Sequence, residues 1–330
     1  MPKFDSSKLK TIGVYTSGGD APGMNAAIRS VIRSAVQRGL RVQAIFGGYP
    51  GLIAGDTREL TSNDMANIIQ RGGTILKTGR SQEFLNIEVR TRAVQMARSK
   101  GIEAMVCIGG DGSFSGAHQL WLEHQFPIVG VPATIDNDIF GTDSTIGFDT
   151  AVNTALEAID RIRDTASSHD RLFVVEVMGR DSGFLAIDVG LAGGAEEIFF
   201  SDNTVTVEQT IEHIKKGMAR GKKSSILVTA EGRKPGRAYD LAEAIRKKAG
   251  FEAKVCVLGH IQRGGAPTAS DRILASQMGS AAIEVLRRGE CDVMVGLQSG
   301  QMVAVDFKIC LAQKKKVNKD LIALAQLLSV

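Results

Sequence analysis

Two short turns hold the residues best suited to chemistry in this chain: Ser17-Gly18-Gly19-Asp20 and Gly109-Gly110-Asp111-Gly112-Ser113. Glycine lacks a Cβ, so backbone N–H groups can face phosphate oxygens there. A helix starting at such a turn adds positive potential. Neither turn has the P-loop spacing or a full Gly-x-Gly-x-x-Gly fingerprint. A ligand-free tight turn explains one such pair as well as a phosphate does; two, each with an aspartate, favour phosphate.

A third cluster is acidic. Thr134, Asp136 and Asp138 share one short stretch, Thr134-Ile135-Asp136-Asn137-Asp138. Phosphoryl transfer needs a hard cation on the phosphates, and Mg²⁺ takes carboxylate and water oxygens. It also needs a group that orients the attacking hydroxyl and takes its proton. Asp111 and the Asp136/Asp138 pair could divide those jobs. The same stretch also reads as a solvated series of Asx turns. Cations recur as well. Arg29 and Arg33 lie one helical turn apart, and Arg161, Arg163 and Arg171 cluster near a helix end. Arg180 stands in Met178-Gly179-Arg180-Asp181, and His260 and Arg263 in Gly259-His260-Ile261-Gln262-Arg263-Gly264-Gly265. Arginine holds phosphate through a fixed fork of donors, although each of these also reads as a surface ion pair. No serine sits on a nucleophile elbow. His118, His124, His169 and His213 lack metal-ligand spacing.

Strand-like and helix-like segments must position these loops. Met24, Ala27, Ile28, Val31, Ile32, Ala35 and Val36 recur at helical spacing, and Gly39 closes that helix. Strands are predicted at 11–15, 41–46, 103–108, 127–131, 172–177, 198–200, 225–229, 255–258 and 293–295. Between them helices are predicted at 62–70, 88–100, from 113 to about 123, 149–168, 182–192, 206–220, 238–249, 269–288 and 318–328, with a short apolar run at 74–76. This alternation implies two doubly wound α/β domains with mostly parallel sheets, each a three-layer α/β/α sandwich. The loops named above then fall at the carboxyl ends of strands, where such folds bind ligands.

Composition agrees. The chain has 330 residues, more than one core usually supports, and is 43% hydrophobic and 23% charged. Its formal net charge of +4 suits small anionic substrates. No basic helix or aromatic-interleaved patch argues for nucleic acid. The four cysteines, Cys107, Cys256, Cys291 and Cys310, form no Cys-x-x-Cys pair and read as reduced core thiols of a cytosolic protein. The first residues carry no signal-like apolar stretch, and no apolar run nears the ~20 residues of a membrane span. A cytoplasmic location is expected.

The longer motifs carry a resemblance. Thr16-Ser17-Gly18-Gly19-Asp20-Ala21-Pro22-Gly23-Met24-Asn25, the turn at Gly109–Ser113, Pro132-Ala133-Thr134-Ile135-Asp136-Asn137-Asp138, Met178-Gly179-Arg180 and the segment from Lys254 to Arg272 resemble, in order, bacterial ATP-dependent 6-phosphofructokinases. The resemblance implies transfer of the γ-phosphoryl group of MgATP to the C1 hydroxyl of fructose 6-phosphate. It implies Asp136 as the base, with Thr134 and Arg180 stabilising the transferred group. It implies Mg²⁺ on Asp111, with Asp138 nearby, and ATP on Gly19, Arg80, Ser81, Gly110, Asp111, Gly112 and Ser113. The sugar phosphate falls to Thr134, Asp136, Met178, Gly179, Arg180, Glu231, His260 and Arg263. Arg171 and Lys254 match residues that reach the site from a neighbouring subunit, so a homotetramer is implied. Arg29, Arg33, Arg163, Gly194, Glu196, Arg220 and Lys222 match an effector site for ADP or phosphoenolpyruvate. The domains expected are 1–147 plus 262–312, binding ATP, and 148–261 plus 313–330, binding the sugar phosphate.

The chain departs from the family pattern at several positions. Gly112 goes with ATP as donor, whereas aspartate there goes with pyrophosphate. Ala133 stands where pyrophosphate users carry lysine and many ATP users glycine. Lys254 replaces a common arginine, keeping the charge and losing the fork, which implies weaker sugar-phosphate affinity. Asp56 or Thr57 falls where the family places a phosphate-binding arginine, with Arg58 next to it, which implies weakened or altered allostery. A pyrophosphate-dependent enzyme on the same fold is the principal alternative. A nucleotide-sensing subunit without activity would have lost Asp111, Asp136 or Arg180. A Gly-Gly-Asp-Gly kinase for NAD or a lipid lacks the 134–138 and 260–263 motifs.

Overall fold

The computed structural model describes residues 1–167, 172–203, 205–222 and 224–328. In chain order the elements are β1 (Thr11–Thr16), α1 (Met24–Gln37), β2 (Arg41–Ile45), α2 (Tyr49–Ala54), β3 (Thr57–Leu60), α3 (Ile87–Ser99), β4 (Ala104–Gly109), α4 (Asp111–His124), β5 (Ile128–Pro132) and α5 (Phe148–Ser167). Then come β6 (Leu172–Val177), α6 (Phe184–Ala192), β7 (Glu197–Phe199), α7 (Val207–Ala219), β8 (Ser225–Ala230), α8 (Arg237–Ala249) and β9 (Ala253–Val257). The last are α9 (Ala269–Arg287), β10 (Val293–Gln298), β11 (Gln301–Asp306), α10 (Phe307–Ala312) and α11 (Lys319–Leu328).

The chain divides into two compact units. The first comprises Met1–Thr134, Ile139–Asp149 and Arg263–Lys315. Its seven-stranded sheet has the order β11-β10-β5-β4-β1-β2-β3. The five central strands are parallel, and β3 and β11 run antiparallel at the edges. Strands β1, β4 and β5 are buried along their whole length, as continuous apolar runs between two helical layers must be. One layer of its core packs Tyr15, Phe114, Phe126, Met294 and Phe307. The second unit comprises Ile135–Asp138, Thr150–Gln262 and Lys316–Val330. Its sheet is wholly parallel, in the order β7-β8-β6-β9. Val174, Leu227, Ile214, Leu241 and Ile245 lie in its core.

The α/β class with mostly parallel sheets is the architecture observed, with differences at the margins. The helix predicted at 62–70 is only a single 3₁₀ turn, Asn63–Met65. Asn67 has φ 54°, which ends any helix there. Side chains of α1 and β1 fix the backbone of the next segment. Asn25 Nδ2 donates to the carbonyls of Arg71 (3.0 Å) and Gly72 (3.1 Å), and Asn25 Oδ1 accepts from Ile75 N–H at 2.8 Å. Thr16 Oγ1 donates to Lys77 O at 2.7 Å. The apolar run at 74–76 is therefore a pinned loop. Sequence patterning also missed α2, α10 and both antiparallel edges. β3 is short and polar, as exposed edges are. β11 follows a two-residue turn in which Ser299 (φ 49°) and Gly300 (φ 79°) both lie in the left-handed region.

All four cysteines are free thiols; Cys107, Cys291 and Cys310 are buried and Cys256 is half-buried on β9. No described helix is long and apolar enough to cross a membrane.

Phe114 is fully buried and stacks on Phe307 with ring centroids 5.2 Å apart. Truncating a buried aromatic costs about 3–5 kcal/mol. Phe114→Ala should lower unfolding free energy by about that much in urea titration; a loss under ~1 kcal/mol would contradict this packing.

Candidate active site

In the first unit two strand ends meet side by side. Ser17 N–H donates to Ile108 O at 3.0 Å, which carries the β1–β4 pairing into both turns. Gly110 is the N-cap of α4, and Asp111 is its first residue. The carboxylate of Asp111 thus stands at the positive end of the helix, exposed beside Gly112, while Ser113 is buried. A Cβ added at Gly112 would meet nothing within 4 Å. Thr134 follows β5. Ala133 N–H donates to Gly109 O at 2.9 Å, and Thr145 Oγ1 donates to Thr134 O at 2.6 Å. A Cβ at Gly110 would touch Thr134 Cβ at 3.8 Å, so these loops are neighbours. Arg263 also reaches this region, donating from Nη1 to Asp20 O at 3.0 Å. Arg80 is exposed and Ser81 half-buried, and Ser81 Oγ accepts from Phe84 N–H at 3.3 Å.

In the second unit the strand ends carry the remaining residues. Asp136 is buried, and Arg180 Nε lies 3.7 Å from its Oδ2. The Arg180 side chain is otherwise 60% exposed. Asn137 (φ 50°) and Arg180 (φ 49°) both hold left-handed backbone, a conformation that costs energy in non-glycine residues. Ser182 explains part of the tolerance: its Oγ donates to Gly179 O at 2.7 Å and reaches Asp136 O at 3.1 Å. Gln262, fully buried, ties the end of β6 to α5. Its Oε1 accepts from Met178 N–H at 2.8 Å and its Nε2 donates to Ala151 O at 3.3 Å. Glu231 N–H donates to Val177 O at 2.9 Å, placing Glu231 just past β8 beside the Met178–Gly179 turn. His260 is exposed in the 3₁₀ turn Gly259–Arg263 that follows β9, and Lys254 is exposed on β9 itself, the sheet's edge strand. Arg171 lies outside the described residues.

Among the described residues no group of three or more His, Cys, Asp or Glu side chains is arranged around a metal ion. A single exposed carboxylate on a Gly-rich turn at a helix N-terminus still fits Mg²⁺, which is usually held by one or two carboxylates, waters and substrate phosphates.

The chain also matches known proteins. The model of the family described as phosphofructokinase matches residues 11–286. The chain belongs to the phosphofructokinase family. It is 57% identical over 322 residues to the ATP-dependent 6-phosphofructokinase 1 of Thermus thermophilus, covering 98% of this chain and 100% of that protein. It is 51% identical over 322 residues to the ATP-dependent 6-phosphofructokinase of Halalkalibacterium halodurans, with the same coverage of each. Phosphofructokinase from Saccharomyces cerevisiae superposes with a TM-score of 0.84 at 35% identity, over 92% of this chain and 45% of the yeast chain. The pyrophosphate-dependent phosphofructokinase of Marinobacter aquaeolei also superposes with a TM-score of 0.84, over 98% of this chain and 92% of that one, but at 23% identity it shares the fold alone.

The expected effector residues fall into separate groups. On α1, the neighbouring Arg29 and Arg33 carry like charge, and burial together with Arg33 holds the Arg29 guanidinium below its usual range. In the second unit Arg163 donates to the carbonyls of Gly193 and Gly194. Buried Glu196 pairs with Lys222 Nζ at 2.6 Å and accepts from Ile226 N–H. Arg220 is the exposed C-cap of α7. Asp56 is exposed just before β3, and Arg58 lies over the Phe46 ring at 5.5 Å.

Sequence reading did not find Ser182 or Gln262 as site-shaping residues. Ser182 sits in the Met178–Gly183 motif and could have been weighed as a loop clamp; nothing marks Gln262 before its burial is known. Ser182→Ala removes the clamp beneath Asp136. A shift of about 1 Å in a catalytic group can cost ~100-fold, so the maximal rate should fall about 10- to 100-fold with the thermal midpoint little changed. An unaltered maximal rate would show that Asp136 is held without it.

Proposed function

We propose that this chain is an ATP-dependent 6-phosphofructokinase, moving the γ-phosphoryl group of ATP to the C1 hydroxyl of fructose 6-phosphate. The observation that carries the reading is the end-to-end match, at 57% identity, to a relative named for ATP dependence. Gly112 supports it. The space beside Gly112 is open in the protein, so an aspartate there would crowd a nucleotide and not the fold.

Each group of residues has its own task. The Gly18–Asp20 and Gly109–Ser113 turns, with Arg80 and Ser81, bind the donor through backbone N–H groups and the α4 N-terminus. Asp111 would hold Mg²⁺, which supplies charge neutralisation on the phosphates. Met178, Gly179, Glu231, His260 and Arg263 bind the sugar phosphate, and Arg171 and Lys254 serve a neighbouring subunit's site in a homotetramer. The C1 oxygen attacks the γ-phosphorus, the bond to the β–γ bridging oxygen breaks, and ADP leaves. The Asp136 carboxylate takes the hydroxyl proton. Aspartate is a weak base, which suits a loose transition state in which the proton leaves late. Thr134 and Arg180 bear on the transferred group, and the exposure of the Arg180 side chain is compatible with that role. Arg29, Arg33, Arg163, Gly194, Glu196, Arg220 and Lys222 form an effector site for ADP or phosphoenolpyruvate, weakened by the carboxylate at Asp56. The enzyme works in the cytoplasm.

Asp136→Asn keeps the shape and removes the base. Substrate half-saturation should stay within about threefold while kcat falls by ~100-fold or more, the range of general-base catalysis. A variant turning over at near the parent rate would rule out Asp136 as the base.

A further inference from the structure

The sheet of the first unit forks where the reaction is placed. β10 pairs with β5 at Val293 and Met294. Past Pro132 the chain leaves β5 for Thr134, whereas β10 runs on to Gln298. The edge of β10 that faces away from β11 is then taken by another segment, residues 141–143. Asp143 N–H donates to Leu297 O at 2.7 Å, and Leu297 N–H donates to Thr142 Oγ1 at 3.0 Å. Gln298 Nε2 donates to Gly141 O at 3.0 Å, and Ser299 N–H donates to Asp143 Oδ2 at 2.7 Å. Lys315 Nζ donates to Asp143 O at 2.8 Å. Gly296 lets the two backbones meet: a Cβ there would lie 2.5 Å from Gly141 O. Glycine inside a strand commonly marks such an approach.

The same segment then returns to the end of β5. Thr142 Oγ1 donates to Ser144 O at 2.8 Å. Thr145 Oγ1 donates to Thr134 O at 2.6 Å, and Ile146 N–H donates to Pro132 O at 3.0 Å. Ile146 and Ala133 form a parallel bridge. Thr142 is 4% exposed and Thr145 is fully buried, so neither hydroxyl serves the solvent. Burying a hydroxyl is unfavourable unless it is hydrogen-bonded, and a valine would fill the same space without that cost. What the hydroxyls add is direction. Thr142 Oγ1 joins the β10–β11 hairpin to Ser144, and Thr145 Oγ1 joins the next residue to the Thr134 carbonyl. A hairpin that no catalytic role above uses is thereby tied to Thr134.

We infer that Thr142 and Thr145 are positioning residues for phosphoryl transfer: through their hydroxyls the β10–β11 hairpin fixes the Thr134 backbone, and with it the Thr134 side chain. This inference rests on the proposed role of Thr134.

Thr142→Val keeps the shape and removes the hydroxyl shared by Leu297 N–H and Ser144 O. The kcat should fall about 10- to 100-fold, as a displacement of up to ~1 Å in a reacting group does. Half-saturation by MgATP and by fructose 6-phosphate should stay within about threefold. Thr142→Ser restores the hydroxyl and should bring kcat back to within about threefold of the parent. A double-mutant cycle reads the route through Thr134: in a Thr134→Ala background, Thr142→Val should lower kcat by less than about twofold more. Equal fractional losses in the two backgrounds would overturn the inference. So would a Thr142→Val protein that melts earlier but turns over at the parent rate. Asp143 is exposed, and Asp143→Ala loosens the same segment by the bond from Ser299. If Thr142→Val does not fold, Asp143→Ala decides: kcat should fall about 2- to 10-fold, the worth of one hydrogen bond, with half-saturation unmoved. A parent protein inactive with ATP would strike the proposed activity and this inference with it, whereas an active parent with unmoved variants would strike only the inference.

Discussion

At Gly109 there is no room for a methyl group. A Cβ there would lie 2.6 Å from the carbonyl oxygen of Ser17 and 2.7 Å from Ser113 Oγ. That closeness is the constraint on which this face of the first unit depends. It lets the end of β4 press against the end of β1, so two Gly-Asp turns open on the same side of one parallel sheet. It also leaves the first turn of α4 facing outward, with Asp111 and Gly112 exposed. Parallel strands deliver such turns at their carboxyl ends, and helix N-termini supply donors for anions there. The buried apolar runs of β1, β4 and β5 matter because they hold those ends rigid.

The second unit meets a different demand. The proposed base, Asp136, is buried, and a buried carboxyl group needs polar partners. Arg180 lies near its Oδ2, and the backbone around it is bent into left-handed conformations at Asn137 and Arg180. Strained backbone persists only where its surroundings over-determine it. Ser182 and Gln262 supply that determination through hydrogen bonds to main-chain groups. The same device appears at Glu176, fully buried, whose carboxylate accepts from Gly236 and Ala238 N–H at the start of α8. In this unit buried polar side chains do for the loops what apolar packing does for the strands.

Much of this was legible in the amino-acid sequence. The helical spacing of Met24 to Val36, the apolar runs before Ser17 and Gly109, and the long motifs around Asp136 and Arg263 were local signals, and the structure has elements there. The failures have a common physical cause. The helix pattern at 62–70 is cut short by left-handed backbone at Asn67, and the segment from 71 to 77 is held by Asn25 and Thr16, which are distant in sequence, so propensity within these segments misleads. The edges β3 and β11 have little apolar pattern because edges face water. Gln262 is the one fully buried member of a motif whose other members are exposed or half-buried, and burial alone separates its role from theirs.

The central claim is that ATP, and not pyrophosphate, is the phosphoryl donor to fructose 6-phosphate. Phosphorus NMR tests it directly. The protein is mixed with fructose 6-phosphate, Mg²⁺ and one donor at a time, and the spectra are read for a new sugar C1-phosphate and for the leaving product. With ATP, fructose 1,6-bisphosphate and ADP should appear in equal amounts, and with pyrophosphate nothing should change. Bisphosphate formed from pyrophosphate, with ATP left intact, would contradict the claim.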